Sequence, residues 1–101
     1  MRMIMYVSMP VEVFNDAVRG GSAGATMKKI LDQQKPEAAY FTDLGGQRTG
    51  IFIVDLADAS GIPALAEPWF LSFNAEVEIH PVMVPADLAA SGLDALGKEW
   101  G

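Results

Sequence analysis

The fold is decided by residues Thr49–Val84, which read TGIFIVDLADASGIPALAEPWFLSFNAEVEIHPVMV. Thr49–Leu56 is rich in β-branched and aromatic residues, a composition typical of a strand. Pro63–Phe73 carries large apolar residues at helical spacing, and Ala75–Val84 alternates apolar with polar side chains. The stretch therefore predicts a strand, a helix and a second strand.

Two prolines in this stretch constrain the predicted elements. Pro68 falls in the middle of the helix, where a proline removes one backbone hydrogen bond and costs about 3 kcal/mol if nothing compensates. Burial of Trp69 and Phe73, which follow it, is expected to offset this at about 25 cal/mol per Å² of apolar surface. Pro81 interrupts the last strand, so that strand is predicted to lie at a sheet edge.

The rest of the chain adds elements on both sides of this stretch. Ahead of it the pattern predicts a strand, two amphipathic helices and a second strand, at Arg2–Met9, Val11–Arg19, Ser22–Gln34 and Glu37–Leu44. The four residues 45–48, GGQR, predict a hairpin turn, because a phosphate-binding glycine loop would connect a strand to a helix instead. Pro85–Lys98 predicts a weak final helix.

Composition narrows the classes of function. The 101 residues suffice for a single domain. The net charge of −6, with seven scattered basic residues, predicts no nucleic-acid partner and no binding to anionic membranes. The absence of cysteine excludes disulfides and thiolate chemistry. Because the chain has no apolar run of membrane-spanning length and no signal-peptide pattern, we expect a cytoplasmic protein.

The predicted order of elements is β-α-β-β-α-β with an added C-terminal helix, where the first α stands for the two consecutive helices of the first crossover. Two right-handed crossovers place both helices on one face of an antiparallel sheet, which predicts an α+β, ferredoxin-like fold. The opposite face would carry six apolar side chains, at Ile4, Tyr6, Ile51, Ile53, Val82 and Val84. Because a bare patch of this kind is unusual, the sequence predicts a homodimer in which two sheet faces cover each other.

Three short stretches add a family resemblance to this order of elements. They are KPEAAYF at 35–41, IPALAEP at 62–68 and NAEVE at 74–78. Together they resemble the dimeric α/β-barrel superfamily, and within it a group of small uncharacterised bacterial proteins, over nearly residues 1–90. The resemblance implies a barrel formed by two ferredoxin-like subunits. It does not choose a function, since the superfamily includes cofactor-free monooxygenases, haem-degrading enzymes, isomerases, stress-response proteins and ligand-binding modules.

One functional hypothesis is a cofactor-independent monooxygenase or isomerase that uses the only histidine, His80. Glu78 and Glu76 share its predicted strand face, and Asp55 ends another strand, so these carboxylates are candidate partners in acid-base catalysis. His80 could equally be a structural partner inside the dimer. One histidine on a strand and no cysteine fit neither a metal site nor an axial haem ligand, so we predict no metal and no cofactor.

The other hypothesis is a binding protein with a cleft between the sheet and the helices. A small, largely apolar molecule would suit such a cleft. The candidate ligand-binding residues are Tyr6, Tyr40, Arg48, Trp69 and Phe73. Tyr40 and Arg48 could also be surface residues of the hairpin with no ligand. The residues leave the binding protein and the enzyme both open.

Overall fold

The computed structural model describes residues 1–101 and contains four strands, five α-helices and one 3-10 helix. In chain order they are β1 (Arg2–Met9), α1 (Val11–Arg19), α2 (Ala23–Gln34), β2 (Ala38–Leu44), β3 (Gln47–Asp55), the 3-10 helix (Ala59–Gly61), α3 (Ile62–Phe73), β4 (Glu76–Pro81), α4 (Pro85–Ala89) and α5 (Leu93–Trp100). The α+β prediction is confirmed, and the first strand and first helix have the predicted bounds.

The four strands form one antiparallel sheet in the order β2-β3-β1-β4. The first strand therefore lies between β3 and β4, and Met5 sits opposite both Phe52 and Ile79. The strand with Pro81 is an edge strand, as predicted. At the other edge, every residue of β2 except the first is exposed.

The hairpin between β2 and β3 has a turn of only two residues. Gly45 and Gly46 have φ values of 60° and 78°, the left-handed region that a two-residue turn matched to the strand twist requires. The prediction that Gln47 and Arg48 belong to the turn is wrong. Both residues pair with β2 because the short turn lets the ladder start directly after Gly46.

The C-terminal end of the chain differs from the predicted strand and helix. The last strand ends at Pro81 rather than Val84, and Val82 and Val84, predicted on the sheet face, lie beyond it. Instead of one helix over Pro85–Lys98, the chain forms the separate helices α4 and α5. Residues 82–101, called the C-terminal arm below, contain no buried side chain.

The hydrophobic core lies between one face of the sheet and α1, α2 and α3. Its strand side consists of alternate residues, as predicted for β1: Met3, Met5, Val7, Met9, Phe52 and Val54. Trp69 of α3 is fully buried at its centre, stacked on Phe52 with ring centroids 5.2 Å apart. This face is called the helix face below, and the opposite one the outer face.

Gln34 at the end of α2 compensates for Pro68 inside α3. Because proline has no N–H, the carbonyl of Ala64 one turn earlier has no helical donor. The side-chain amide of Gln34 donates to the carbonyl oxygens of Ala64 at 3.3 Å and Leu65 at 2.9 Å. Its oxygen accepts the indole N–H of Trp69 at 3.2 Å. One amide thus gives the Ala64 carbonyl a donor and the buried Trp69 indole an acceptor.

Candidate functional site

The outer face of the sheet has an apolar centre that the subunit itself does not cover. Four half-buried residues form it: Ile4, Tyr6, Ile51 and Ile53. Polar residues of β4 border it on one side, because Glu78 pairs with Tyr6 and His80 pairs with Ile4. Four of the six apolar residues predicted for this face are therefore present on it, namely those that lie within the strands.

His80 and Glu78 share the outer face and form an exposed pair. The Nε2 atom of His80 lies 4.0 Å from the Oε2 atom of Glu78, and the two side chains are 59% and 71% exposed. Even an ion pair in such a solvated position contributes little to stability. His80 lines none of the four main clefts. Its neighbours Glu78 and Pro81 each line a cleft, but His80 itself does not.

Asp55 lies apart from this pair. The central strand separates β3 from β4, and Asp55 is two residues farther along than the position level with His80. The two Cα atoms are therefore about 12 Å apart. The Asp55 carboxylate instead accepts a hydrogen bond from the N-terminal amine of Met1 at 3.0 Å. The candidate catalytic residues do not come together as one constellation.

Two further findings concern charges and metals. The Glu37 carboxylate accepts a hydrogen bond from Arg2 at 2.6 Å and, with its negative charge, raises the pKa of that guanidinium. No group of three or more histidine, aspartate or glutamate side chains has an arrangement that could hold a metal ion.

A cleft with a different set of residues opens on the helix face, near the β2 edge. Its volume is about 340 Å³, within the range of small-molecule sites. The lining residues come from β1, α1, α2 and the hairpin: Met9, Phe14, Met27, Phe41, Thr42, Arg48 and Thr49. Most of the lining is apolar, and Arg48 is its only charged residue.

Neighbouring side chains hold the guanidinium of Arg48 in place. Its Nη1 atom donates to the side-chain oxygen of Asn15 at 2.9 Å, and its Cζ atom lies 4.9 Å from the centre of the Phe14 ring. Arg48 takes part in none of the four ion pairs of the structure. Asp43 is its cross-strand neighbour and is therefore a candidate for a competing charge. The cleft thus has one oriented cationic group with no ion pair.

The predicted ligand-binding residues are distributed over three places. Arg48 lines the cleft, whereas Tyr6 and Tyr40 lie on the outer face, opposite each other across Ile51. Trp69 and Phe73 are 0% and 1% exposed and belong to the core, so packing alone accounts for both side chains. Four apolar cleft residues were not among the predicted ligand-binding residues: Met9, Phe14, Met27 and Phe41. Strand alternation would have placed Arg48 on the helix face with them.

The comparisons with known proteins give no family for the chain. It matches no protein-family model and no curated protein. None of the helices has the length and apolar character needed to cross a membrane. Any proposal about function therefore depends on the geometry described above.

Proposed function

We propose that the protein binds a small, largely apolar molecule with a carboxylate group in the cleft beside Arg48. The observation that carries this proposal is a guanidinium oriented by Asn15 and Phe14 at an apolar cleft, with no ion pair of its own. The apolar part of a ligand would contact Phe14, Met27 and Phe41. Its carboxylate would form a charge-assisted hydrogen bond with the guanidinium.

The proposed assembly is a homodimer of ferredoxin-like subunits joined through their outer faces into a dimeric α/β barrel. The strand order β2-β3-β1-β4, the antiparallel pairing and the helices on one face support this fold. The apolar centre of the outer face supports the dimer, because a second copy would remove it from water. An enzyme that uses His80 would have to act on this same face. The prediction of a cytoplasmic location is part of the proposal.

Binding can be tested with three probes that differ only in their polar group: 3-phenylpropanoate, 3-phenylpropanol and 3-phenylpropylamine. With ¹³C-methyl methionine, the signals of Met9 and Met27 report on the cleft, and that of Met1, which lines none of the main clefts, serves as a reference. We expect the carboxylate to shift both cleft methyls, with an affinity about tenfold above that of the alcohol, a typical value for one charged hydrogen bond. The amine should bind most weakly.

Variants distinguish binding in the apolar cleft from recognition of the carboxylate by Arg48. Arg48→Gln should remove the preference for the carboxylate, whereas Arg19→Gln, an exposed arginine outside the cleft, should leave it unchanged. Asp43→Asn should strengthen carboxylate binding by removing a competing charge. If no probe shifts Met9 or Met27, the binding proposal is wrong. If acid and alcohol bind equally, an apolar cleft remains and the role of Arg48 is wrong.

The dimer is tested by the mass in solution. Light scattering at micromolar concentration should give twice the 10.8 kDa of one chain, because two apolar faces are covered only in the dimer. The mass should fall towards that of one chain on dilution, as expected for a reversible association. A mass of one chain throughout would contradict the proposed assembly.

A further inference from the structure

The C-terminal arm projects away from the rest of the subunit. The Cα radius of gyration is 16.9 Å, and the principal extents are 58, 28 and 20 Å. A compact domain of this length would have a radius of gyration of about 13 Å. The longest extent is thus about twice the next one, and every residue of the arm except Val82 and Val84 is exposed.

The arm has an apolar side that nothing in the subunit covers. Leu93, Leu96 and Trp100 recur at positions i, i+3 and i+7 of α5, so they share one side of the helix. All three are exposed, and Trp100 is 82% exposed. With eight residues, α5 is shorter than helices that are stable alone in water. The arm therefore needs a surface on which to pack.

The edge strand β2 has exposed apolar residues, like the apolar side of the arm. Tyr40 is 64% exposed and pairs with Ile51, so it continues the apolar centre of the outer face to the sheet edge. Leu44 is also exposed on this strand. Edge strands with exposed apolar residues are normally protected from unwanted pairing. The arm leaves the sheet at β4, which is the opposite edge, so β2 of the same chain lies across the full width of the sheet.

We propose that the arm of one subunit packs along the free edge of β2 in a second copy of the chain, beside the outer face that the two sheets cover between them. Leu93, Leu96 and Trp100 would contact Tyr40 and Leu44 of the other subunit. The inference rests on the proposed homodimer. A two-fold axis parallel to the strands places the β4 edge of one sheet above the β2 edge of the other, so each arm begins next to the strand that it covers.

The area that a stable dimer needs supports this exchange. Four strands about 4.8 Å apart, with six to nine residues each, give a sheet face of about 500 Å². Two such faces bury roughly 1,000 Å², less than the 1,200–2,000 Å² of standard interfaces. Trp100, which is largely exposed and present once in each subunit, would add roughly 400 Å² over the two arms. With the arms the interface reaches the standard size.

The first test compares two double variants of the full chain. Leu93→Gln with Leu96→Gln removes the apolar side of α5. Asp94→Asn with Lys98→Gln changes the polar side of the same helix, and neither pair of substitutions alters the net charge. Light scattering over a dilution series should show a dissociation constant raised by at least about tenfold for the first variant. The control variant should stay within about twofold of the unaltered chain.

The second test asks which chain the arm contacts. The protein has no cysteine, so Lys98→Cys gives a single attachment point for a spin label. The labelled chain is mixed with unlabelled chains that carry ¹³C-methyl isoleucine. We expect broadening of the Ile51 and Ile53 methyls, which lie next to β2 on the outer face, with Ile30 of α2 much less affected.

The outcomes distinguish this inference from the proposed homodimer. A single-chain mass at all concentrations overturns both proposals. A stable dimer whose affinity is unchanged by the substitutions at Leu93 and Leu96 overturns the arm exchange alone. Broadening of Ile51 and Ile53 that occurs only within the spin-labelled chain would show an arm folded back on its own subunit, and would also overturn the exchange.

Discussion

Replacing Gln34 with Leu is expected to lower the free energy of unfolding by about 2–4 kcal/mol. Leucine has a similar size but cannot donate to the Ala64 carbonyl or accept from the Trp69 indole. Trp69 is fully buried, so its N–H would lose its partner where water does not replace it. Gln33→Leu, the same substitution at the exposed neighbouring position, should change the free energy of unfolding by no more than about 0.5 kcal/mol.

A double-mutant cycle tests the link between Gln34 and Pro68. Pro68→Ala returns a backbone N–H to the turn that contains Ala64, so the carbonyl no longer depends on the glutamine. The loss caused by Gln34→Leu should therefore be smaller, by about 1 kcal/mol, when residue 68 is alanine. Urea unfolding of the four chains measures this coupling. Additive effects of the two substitutions would show that Gln34 does not compensate for the proline.

The first part of the chain could be predicted well because its signals are local. Alternation in Arg2–Met9 and the proline after it define a strand and a helix start that need no tertiary information, and both elements have the predicted bounds. The order of elements likewise led to the α+β class. The edge position of β4 followed from one proline, since a residue without an N–H cannot serve a central strand.

The C-terminal end could not be predicted as well because it lacks tertiary support. Leu88, Leu93 and Leu96 are only partly periodic, and the pattern did not show that the helix would divide into two. In the subunit no other element packs on these residues to select one continuous helix. Their shape in the assembly depends on surfaces that a single chain does not contain.

The candidate site was predicted only in part for a different reason. Alternation gives the face of each strand residue but not which elements meet across the sheet. Arg48 was recognised as a candidate, yet its contacts with Asn15 and Phe14 join residues more than thirty positions apart in the chain. Conversely, Trp69 was predicted in the ligand site because aromatic residues suit both a cleft and a core. Only packing distinguishes the two.

The core packs so closely around Gly50 that replacing this glycine with alanine is predicted to destabilise the protein. In most strands the same replacement is stabilising, by about 0.5–1 kcal/mol, because alanine has less backbone freedom to lose on folding. At Gly50 an added Cβ would lie 2.5 Å from the Cζ atom of Phe52. That ring is held between Trp69, on which it stacks, and Phe41, which it meets edge to face. These two contacts restrict the directions in which the ring can move away from the added Cβ.

We therefore expect Gly50→Ala to lower the free energy of unfolding by about 1–3 kcal/mol, the usual cost of an overfilled core. Gly24→Ala is the matched control, because nothing lies within 4 Å of its added Cβ and α2 should gain about 0.5–1 kcal/mol. Shortening the ring with Phe52→Leu should remove most of the penalty at position 50, since the colliding atoms are then absent. Thermal and urea unfolding of the single and double variants measure these differences. If Gly50→Ala stabilised the protein as Gly24→Ala does, the aromatic cluster would have room to shift, and the glycine would not be needed for its packing.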